Sequence, residues 1–424
     1  MSVELIGNAA RRVSTAAVAW LEPARQAALL TLRESGLPTT ASEEWRYTDL
    51  GPAIARLAPA GELRPALDVA ATAWPDLLLE TGWPVCLIVD GSLQSGADSR
   101  VRQFSAVQEQ DRAFLAGAVA DSRSQPSALA DLNAALLGDG TFVDLPAGVT
   151  DAAPLYLACA TSTAAATASR IVIRCGRQRR ATLLLHFLSA SACASSTVVD
   201  IHCEAGAELS LVVLQDQSDD AIHLGCERVS VAAGASLDMV MLDAGAGLAR
   251  NDLLVTLADA GARLRLASLM VGDGARHVDQ YCRIEHRGTS TSSQVTVRGI
   301  ADEGSRLVFN GKVIVHPGAK GADAAMRNQN LLLSAAAEVD TRPELEINEN
   351  EVRCSHGATT GQLDQNALFY LRSRGIADTA ARRMLLGAFA REILARLPAG
   401  LSASGLLAGI GRHRDLWRDW AGAS

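Results

Sequence analysis

One short phrase returns along this chain at a nearly fixed interval. Ala205-Gly206-Ala207-Glu208-Leu209-Ser210-Leu211 recurs as Ala233-Gly234-Ala235-Ser236-Leu237-Asp238-Met239, then as Ala260-Gly261-Ala262-Arg263-Leu264-Arg265-Leu266. The glycines stand 28 and 27 residues apart. Weaker echoes occur upstream at Ala181-Thr182-Leu183 and downstream at Gly304-Ser305-Arg306-Leu307. A period in the twenties, made of short strands and small-residue turns, is the pattern of a β-solenoid. Each coil must turn sharply at the same place, and glycine permits backbone angles that other residues resist. Flanking alanines keep the corner thin enough for neighbouring coils to stack. A β-sandwich whose hairpins share Ala-Gly-Ala turns is the alternative, and three copies at near-equal spacing favour the solenoid.

The composition agrees. Hydrophobic residues make up 48% of the 424, yet aromatics only 4%, so the core is built from Leu, Val, Ile and Ala, which suit thin stacked layers. From about 140 to 360 the sequence alternates with period two, as in Val198–Cys203, Leu209–Leu214 and Leu264–Leu269. Upstream, Leu21 to Ser35 places Leu21, Ala24, Ala28, Leu29 and Leu32 at helical spacing, with Gly36 set to end the helix. Thr39 to Leu50 contains the dense cluster Glu43-Glu44-Trp45-Arg46-Tyr47-Thr48, and Val85 to Asp90 reads as a short strand. Downstream, Thr379 to Leu397 carries a stripe of Leu385, Leu386, Phe389, Ile393, Leu394 and Leu397, ended by Pro398-Ala399-Gly400. A last segment, His413 to Trp420, reads as a short helix showing Leu416, Trp417 and Trp420 on one side. The tail from 371 onward is mildly basic, which suits a docking surface or a cap on the solenoid. The expected organisation is an N-terminal helical domain over 1–135, a solenoid core over 136–361 and a C-terminal helical domain over 362–424.

Several function classes drop out. A net charge of −8 argues against nucleic acid as a partner, and the longest basic cluster, Arg177-Gln178-Arg179-Arg180, reads as a solvated strand end. No apolar run approaches the roughly 18 residues needed to span a bilayer, and Met1-Ser2-Val3-Glu4-Leu5 lacks the features of a secretory signal. The eight cysteines (86, 159, 175, 193, 203, 226, 282 and 354) are scattered singly, with no CxxC pair. They read as reduced thiols packed as small hydrophobes in a cytoplasmic protein. There is no GxxxxGK[ST], so nucleotide hydrolysis by a P-loop mechanism is not expected, and neither HExxH nor GxSxG occurs. Glu344 and Glu346 would share one face of a strand, a minor candidate for paired-carboxylate hydrolysis or lyase chemistry. His277, His286 and His316 fall in one half of the repeat region, but nothing in their spacing demands a common site.

Cys354 and His356 are more specific. On a strand, positions i and i+2 point to one side, about 7 Å apart. A thiolate and an imidazole both suit iron. Two ligands do not complete a cluster, so the others must come from another chain; a buried Cys beside a hydrogen-bonded His is the plain alternative.

The C-terminal half carries a resemblance. Val308-Phe309-Asn310-Gly311-Lys312-Val313-Ile314-Val315, Asn328-Gln329-Asn330-Leu331-Leu332-Leu333-Ser334, Pro343-Glu344-Leu345-Glu346-Ile347, Cys354-Ser355-His356-Gly357-Ala358-Thr359 and Leu368-Phe369-Tyr370-Leu371-Arg372 resemble the SufB/SufD family of SUF iron–sulfur assembly proteins. Glu43-Glu44-Trp45-Arg46-Tyr47-Thr48 looks like the family's N-terminal signature. Cys-Ser-His-Gly-Ala-Thr, together with Ala324-Ala325-Met326-Arg327 lacking a thiol, is similar to the SufD branch rather than the SufB branch. The resemblance implies a mainly β fold: a right-handed parallel β-helix flanked by helical domains. It implies a non-catalytic scaffold role in a complex with SufB and the SufC ATPase. A transient iron–sulfur cluster would form at the SufB junction, with His356 as metal ligand and Cys354 as its less certain neighbour. SufC would grip the C-terminal helical domain, with Phe369, Tyr370, Arg374, Leu385 and Phe389 as expected contacts. Solenoid ends expose strand edges, so the isolated chain is expected to form a homodimer.

Overall fold

The repeated glycines mark the corners of a parallel β-solenoid. The computed structural model describes residues 18–51 and 81–406, apart from 97, 122–124, 149–152, 163–165, 190–191 and 404–405. The segment His413 to Trp420 lies outside the described residues. Sheet A holds β1 (Val85–Val89), β2 (Ser92–Ser95), β5 (Leu155–Thr161), β7 (Arg180–Ser189), β9 (Glu208–Asp216), β11 (Ser236–Asp243), β13 (Arg263–Gly272), β15 (Ser292–Ala301), β17 (Asp323–Leu332) and β19 (Arg353–Gly361). Sheet B holds β3 (Val101–Gln103), β4 (Thr141–Leu145), β6 (Ala166–Cys175), β8 (Ala194–Cys203), β10 (Ile222–Val231), β12 (Leu248–Leu257), β14 (His277–His286), β16 (Arg306–Val315) and β18 (Glu338–Ile347). From β4 onward successive strands alternate between the sheets, and each pairs in parallel with the strand two places away. β1 and β3, upstream of residue 136, already belong to these sheets.

The corners explain the repeat. Gly206, Gly234 and Gly261 have φ of 72°, 63° and 71°, the left-handed region that glycine enters without a Cβ penalty. Each amide donates to the next coil: Gly206 to the Ala233 carbonyl, Gly234 to Ala260 and Gly261 to Thr289. The following alanines, Ala207, Ala235 and Ala262, are fully buried at the lumen edge. This file continues through Ser290, which takes φ 54° and donates to Lys320, and through Gly321, which donates to Glu351. The downstream echo at Gly304 lies at the opposite corner, where its amide meets the Gly274 carbonyl. The upstream member is Gln178, with φ 54°. This position corrects the reading of the basic run as a solvated strand end. Arg177 and Arg180 are exposed, but Arg179 stands where later coils have alanine and is 2% exposed.

Alternation sends one set of side chains into an aliphatic lumen that includes Leu157, Ile173, Leu185, Ile201, Leu211, Leu266 and Val297. The other set is covered on both flanks. On sheet B lie α1 (Glu22–Ser35), α2 (Glu109–Ala120) and α3 (Ala128–Leu136), which bury Leu29, Leu32, Leu115 and Leu132, with Leu21 just ahead of α1, in one cluster with Val172, Val198 and Leu224. Gly36 caps α1 at φ 72°. On sheet A lie α4 (Gln365–Ser373) and α5 (Asp378–Leu394), whose Leu386, Ala390 and Ile393 join a cluster containing Leu214, Leu242, Leu269 and Ile300. The amphipathic stripe is therefore occupied by the flank of the solenoid. Among the described residues no helix is long and apolar enough to cross a membrane.

The lumen also holds a polar file. Gln217 Nε2 donates to Ser195 Oγ at 3.2 Å, Ser195 hydrogen-bonds His223 Nδ1 at 3.1 Å, and Asn251 Nδ2 donates to Asp243 at 2.7 Å. Glu227 is fully buried; desolvation, helped by the charges of Asp243 and Asp252, pushes its carboxyl up to about 8. In the unfolded chain the ordinary value is 4.5, so the folded state retains a proton that the unfolded state releases. The resulting stability is complete below pH 4.5 and is lost as pH rises towards 8. Glu227→Gln removes that loss. The melting temperature of the variant relative to wild type should climb between pH 5 and pH 8.5; parallel curves over this range would refute the assignment.

Candidate functional site

A stacked solenoid pairs every strand with the coil before and the coil after, until it runs out of coils. β18 and β19 are the last strands of their sheets, and each pairs on one side only among the described residues. In β19, Cys354 lies opposite Ala324 and His356 opposite Met326. Ala324 and Met326 are both 1% exposed in the lumen core. Cys354 and His356 therefore share the lumen face of the terminal coil, as the i, i+2 spacing requires. Gly311 makes room for Met326, the partner of His356: a Cβ there would come within 2.4 Å of Met326 Sδ.

The two side chains differ in environment. His356 is exposed, while Cys354 is half-buried and packs on the lumen cluster. Partial burial, with the nearby Asp323 carboxylate, pushes the Cys354 thiol up from its ordinary value. Among the described residues, no group of three or more His, Cys, Asp or Glu side chains is placed to hold a metal ion. Among the described residues the pair offers two candidate ligands, on a face that no further strand covers.

The other candidates separate. The remaining seven cysteines are buried, and desolvation pushes Cys159, Cys175 and Cys282 up to about 12. The three histidines have separate partners. His286 is buried between Thr291 and Ser293, at 2.8 Å from each hydroxyl, and burial lowers it to about 4. His277 bonds Thr48 at 2.9 Å and His316 bonds Glu285 at 2.9 Å. Glu344 and Glu346 are ion-paired with Arg342 and Lys312 at 2.6 and 3.1 Å. Of the expected docking residues, Phe369 and Tyr370 are 74% and 57% exposed on α4, and the Arg374 guanidinium lies 5.2 Å from the Tyr370 ring. Leu385 and Phe389 instead pack against sheet A, where Arg298 sits 4.6 Å from the Phe389 ring.

The cluster Glu43–Thr48 acquires a role that the sequence pattern did not reveal. A single turn of 3-10 helix, Glu43–Trp45, crosses the outer face of sheet B. Trp45 lies 4.2 Å from the Arg250 guanidinium, Tyr281 donates to Glu44 at 2.8 Å, and Thr48 donates to Asp279. Glu43 meets Arg342 of β18 at 2.5 Å, so this strap reaches the terminal coil. Each partner is polar and lies roughly 200 to 300 residues away, too far for any local pattern to foretell the contact.

Comparison with known proteins agrees with this geometry. The family model for "SUF system FeS cluster assembly, SufBD core domain" matches residues 158–389. The chain belongs to the SufBD family. It is 30% identical over 404 residues to the iron–sulfur cluster assembly protein SufD of Escherichia coli, covering 92% of each chain. It is 28% identical over 396 residues to a SufBD family protein of Synechocystis, covering 88% of this chain and 87% of the relative. A SufBD family protein of Mycobacterium leprae matches over 220 residues at 30% identity, half of this chain. This SufD homologue is thus a SUF-system iron–sulfur assembly protein whose matched core includes the terminal coil.

Thiol accessibility tests the placement of Cys354. Brief alkylation of the native chain, read by mass spectrometry, should label one of the eight cysteines, and Cys354→Ser should abolish that label. Labelling at Cys159, Cys203 or Cys226 in the native chain would contradict the geometry.

Proposed function

We propose that this chain is a non-catalytic scaffold subunit of a SUF assembly complex. Its terminal coil joins a SufB-type subunit, and its C-terminal helices dock a SufC-type ATPase. One observation carries the reading: His356 and Cys354 share the lumen face of the last coil, beside two strand edges without partners among the described residues. An iron–sulfur cluster, the cargo of this system, needs more ligands than this chain presents there, and a partner seated on β18 and β19 would bring the rest. Pairing with a second copy of the chain satisfies the same edges when the partner is absent.

The docking reading rests on α4. Phe369 and Tyr370 expose aromatic area beside Arg374, residue types that dominate interface energetics. Their neighbours on α5 are anchored to sheet A through Phe389 and through the Glu392–Arg298 ion pair. Force applied to α4 would pass through α5 into β13 and β15, close to the terminal coil. ATP-driven movement of the docked subunits would then open or close the junction.

Reconstitution with SufB- and SufC-type partners separates the parts. His356→Ala should leave assembly and ATP hydrolysis intact and lower cluster yield about 10-fold or more. Full yield in an intact complex would leave a purely structural adaptor. Phe369→Ala with Tyr370→Ala should weaken SufC retention by roughly 2 kcal/mol or more without unfolding the chain; undiminished retention would refute docking on α4.

A further inference from the structure

A groove of about 390 Å³ lies between the C-terminal end of α5 and the outer face of sheet A. Its floor is two neighbouring rows of side chains, because alternate residues of stacked parallel strands project from one face in register. Arg265, Gln294 and Ala325 are successive partners in one row; Ala267, Thr296 and Arg327 are successive partners in the next. Glu392, Ala395 and Arg396 form the roof. The three alanines leave the space open, while Gln294, Thr296 and Ser210 line it with hydrogen-bonding groups.

Charge decides what such a space accepts. Arg265 Nη2 donates to Asp238 at 2.7 Å, and Arg298 holds Glu392, so both acids of the groove are already paired. Arg327 and Arg396 form no ion pair at bonding distance among the described residues; both act on Glu392 only through space. Two guanidinium groups are therefore left over, one on the floor and one on the roof. Guanidinium forks match phosphate oxygens in geometry and charge. The volume falls at the lower end of small-ligand pockets, enough for one compact molecule. We propose that this groove binds a phosphate-bearing small molecule of nucleotide size, with its phosphate between Arg327 and Arg396. Such a ligand would tie α5 to β17, the strand that pairs with β19.

Calorimetric titration of the full chain with AMP, inorganic phosphate and adenosine tests this. AMP should bind saturably and more weakly as salt rises, with adenosine and inorganic phosphate each at least ~10-fold weaker. The Arg327→Ala/Arg396→Ala double variant and the separate Ala325→Glu variant should each lower AMP affinity by at least ~10-fold while retaining the wild-type circular dichroism. Arg112→Ala, on α2, should bind as wild type does. No saturable binding of AMP at millimolar concentration, or undiminished binding in both folded groove variants, would overturn the proposal. Adenosine or inorganic phosphate binding as tightly as AMP would overturn its assignment to a nucleotide-sized phosphate ester. None of these outcomes depends on cluster assembly.

Discussion

Parallel, in-register stacking of coils is the constraint from which the rest of this molecule follows. Each strand from β6 to β17 satisfies its backbone through the coils on either side. Every coil must therefore turn at the same two places and present the same alternation of inward and outward residues. Stacking fixes the lumen, the left-handed corners and the rows of outer side chains. It also makes an end unavoidable. Among the described residues the ladder stops at β18 and β19 with donors and acceptors unspent, and there Cys354 and His356 stand on a lumen face that no further described strand covers. In the middle of the stack the same pair would be buried and inert, as Cys203 and His286 are.

The two flanks keep the stack in use as a single body. Helices cover both outer faces, and buried charge fixes where they sit. Arg170 and Arg228 share Asp200, at 2.7 and 2.6 Å, and both donate to the Ala118 carbonyl near the end of α2. Arg250 joins Asp252 to Asp279 beneath Trp45. Ion pairs of this kind contribute little net stability after desolvation, but breaking one leaves a buried charge exposed to nothing. They thus select one docking arrangement of the N-terminal segment, which extends to Arg342 on the last coil. On the opposite flank the Arg298–Glu392 pair and Phe389 fix α5. The N-terminal strap thus reaches the last coil, while α5 bears on β13 and β15, three and two strands in from β19.

Much of this was legible beforehand. The glycine file predicted the solenoid, the apolar stripe predicted α5, and the spacing of Cys354 and His356 placed them on one face. These features are local: period, turn chemistry and alternation act over a few residues and leave marks in order. The corner file could be followed only as far as glycine filled it, because Gln178 and Ser290 take the same left-handed backbone without announcing it. Arg179 was misread for a related reason. In a basic run it resembles its solvated neighbours, and only the corner geometry turns it inward.

The sequence by itself determined a β-solenoid with helical flanks, its family and the i, i+2 placement of Cys354 and His356 on one face of a strand. Tertiary structure decided which candidates meet. It separated the three histidines, assigned Leu385 and Phe389 to packing while leaving Phe369 and Tyr370 outside, and brought Glu43 to Arg342 across some 300 residues. Those outcomes depend on how many coils separate two residues and which face each occupies. Alternation gives the face from sequence, but the coil count and the flank docking are fixed only when hydrogen bonding and burial are satisfied together.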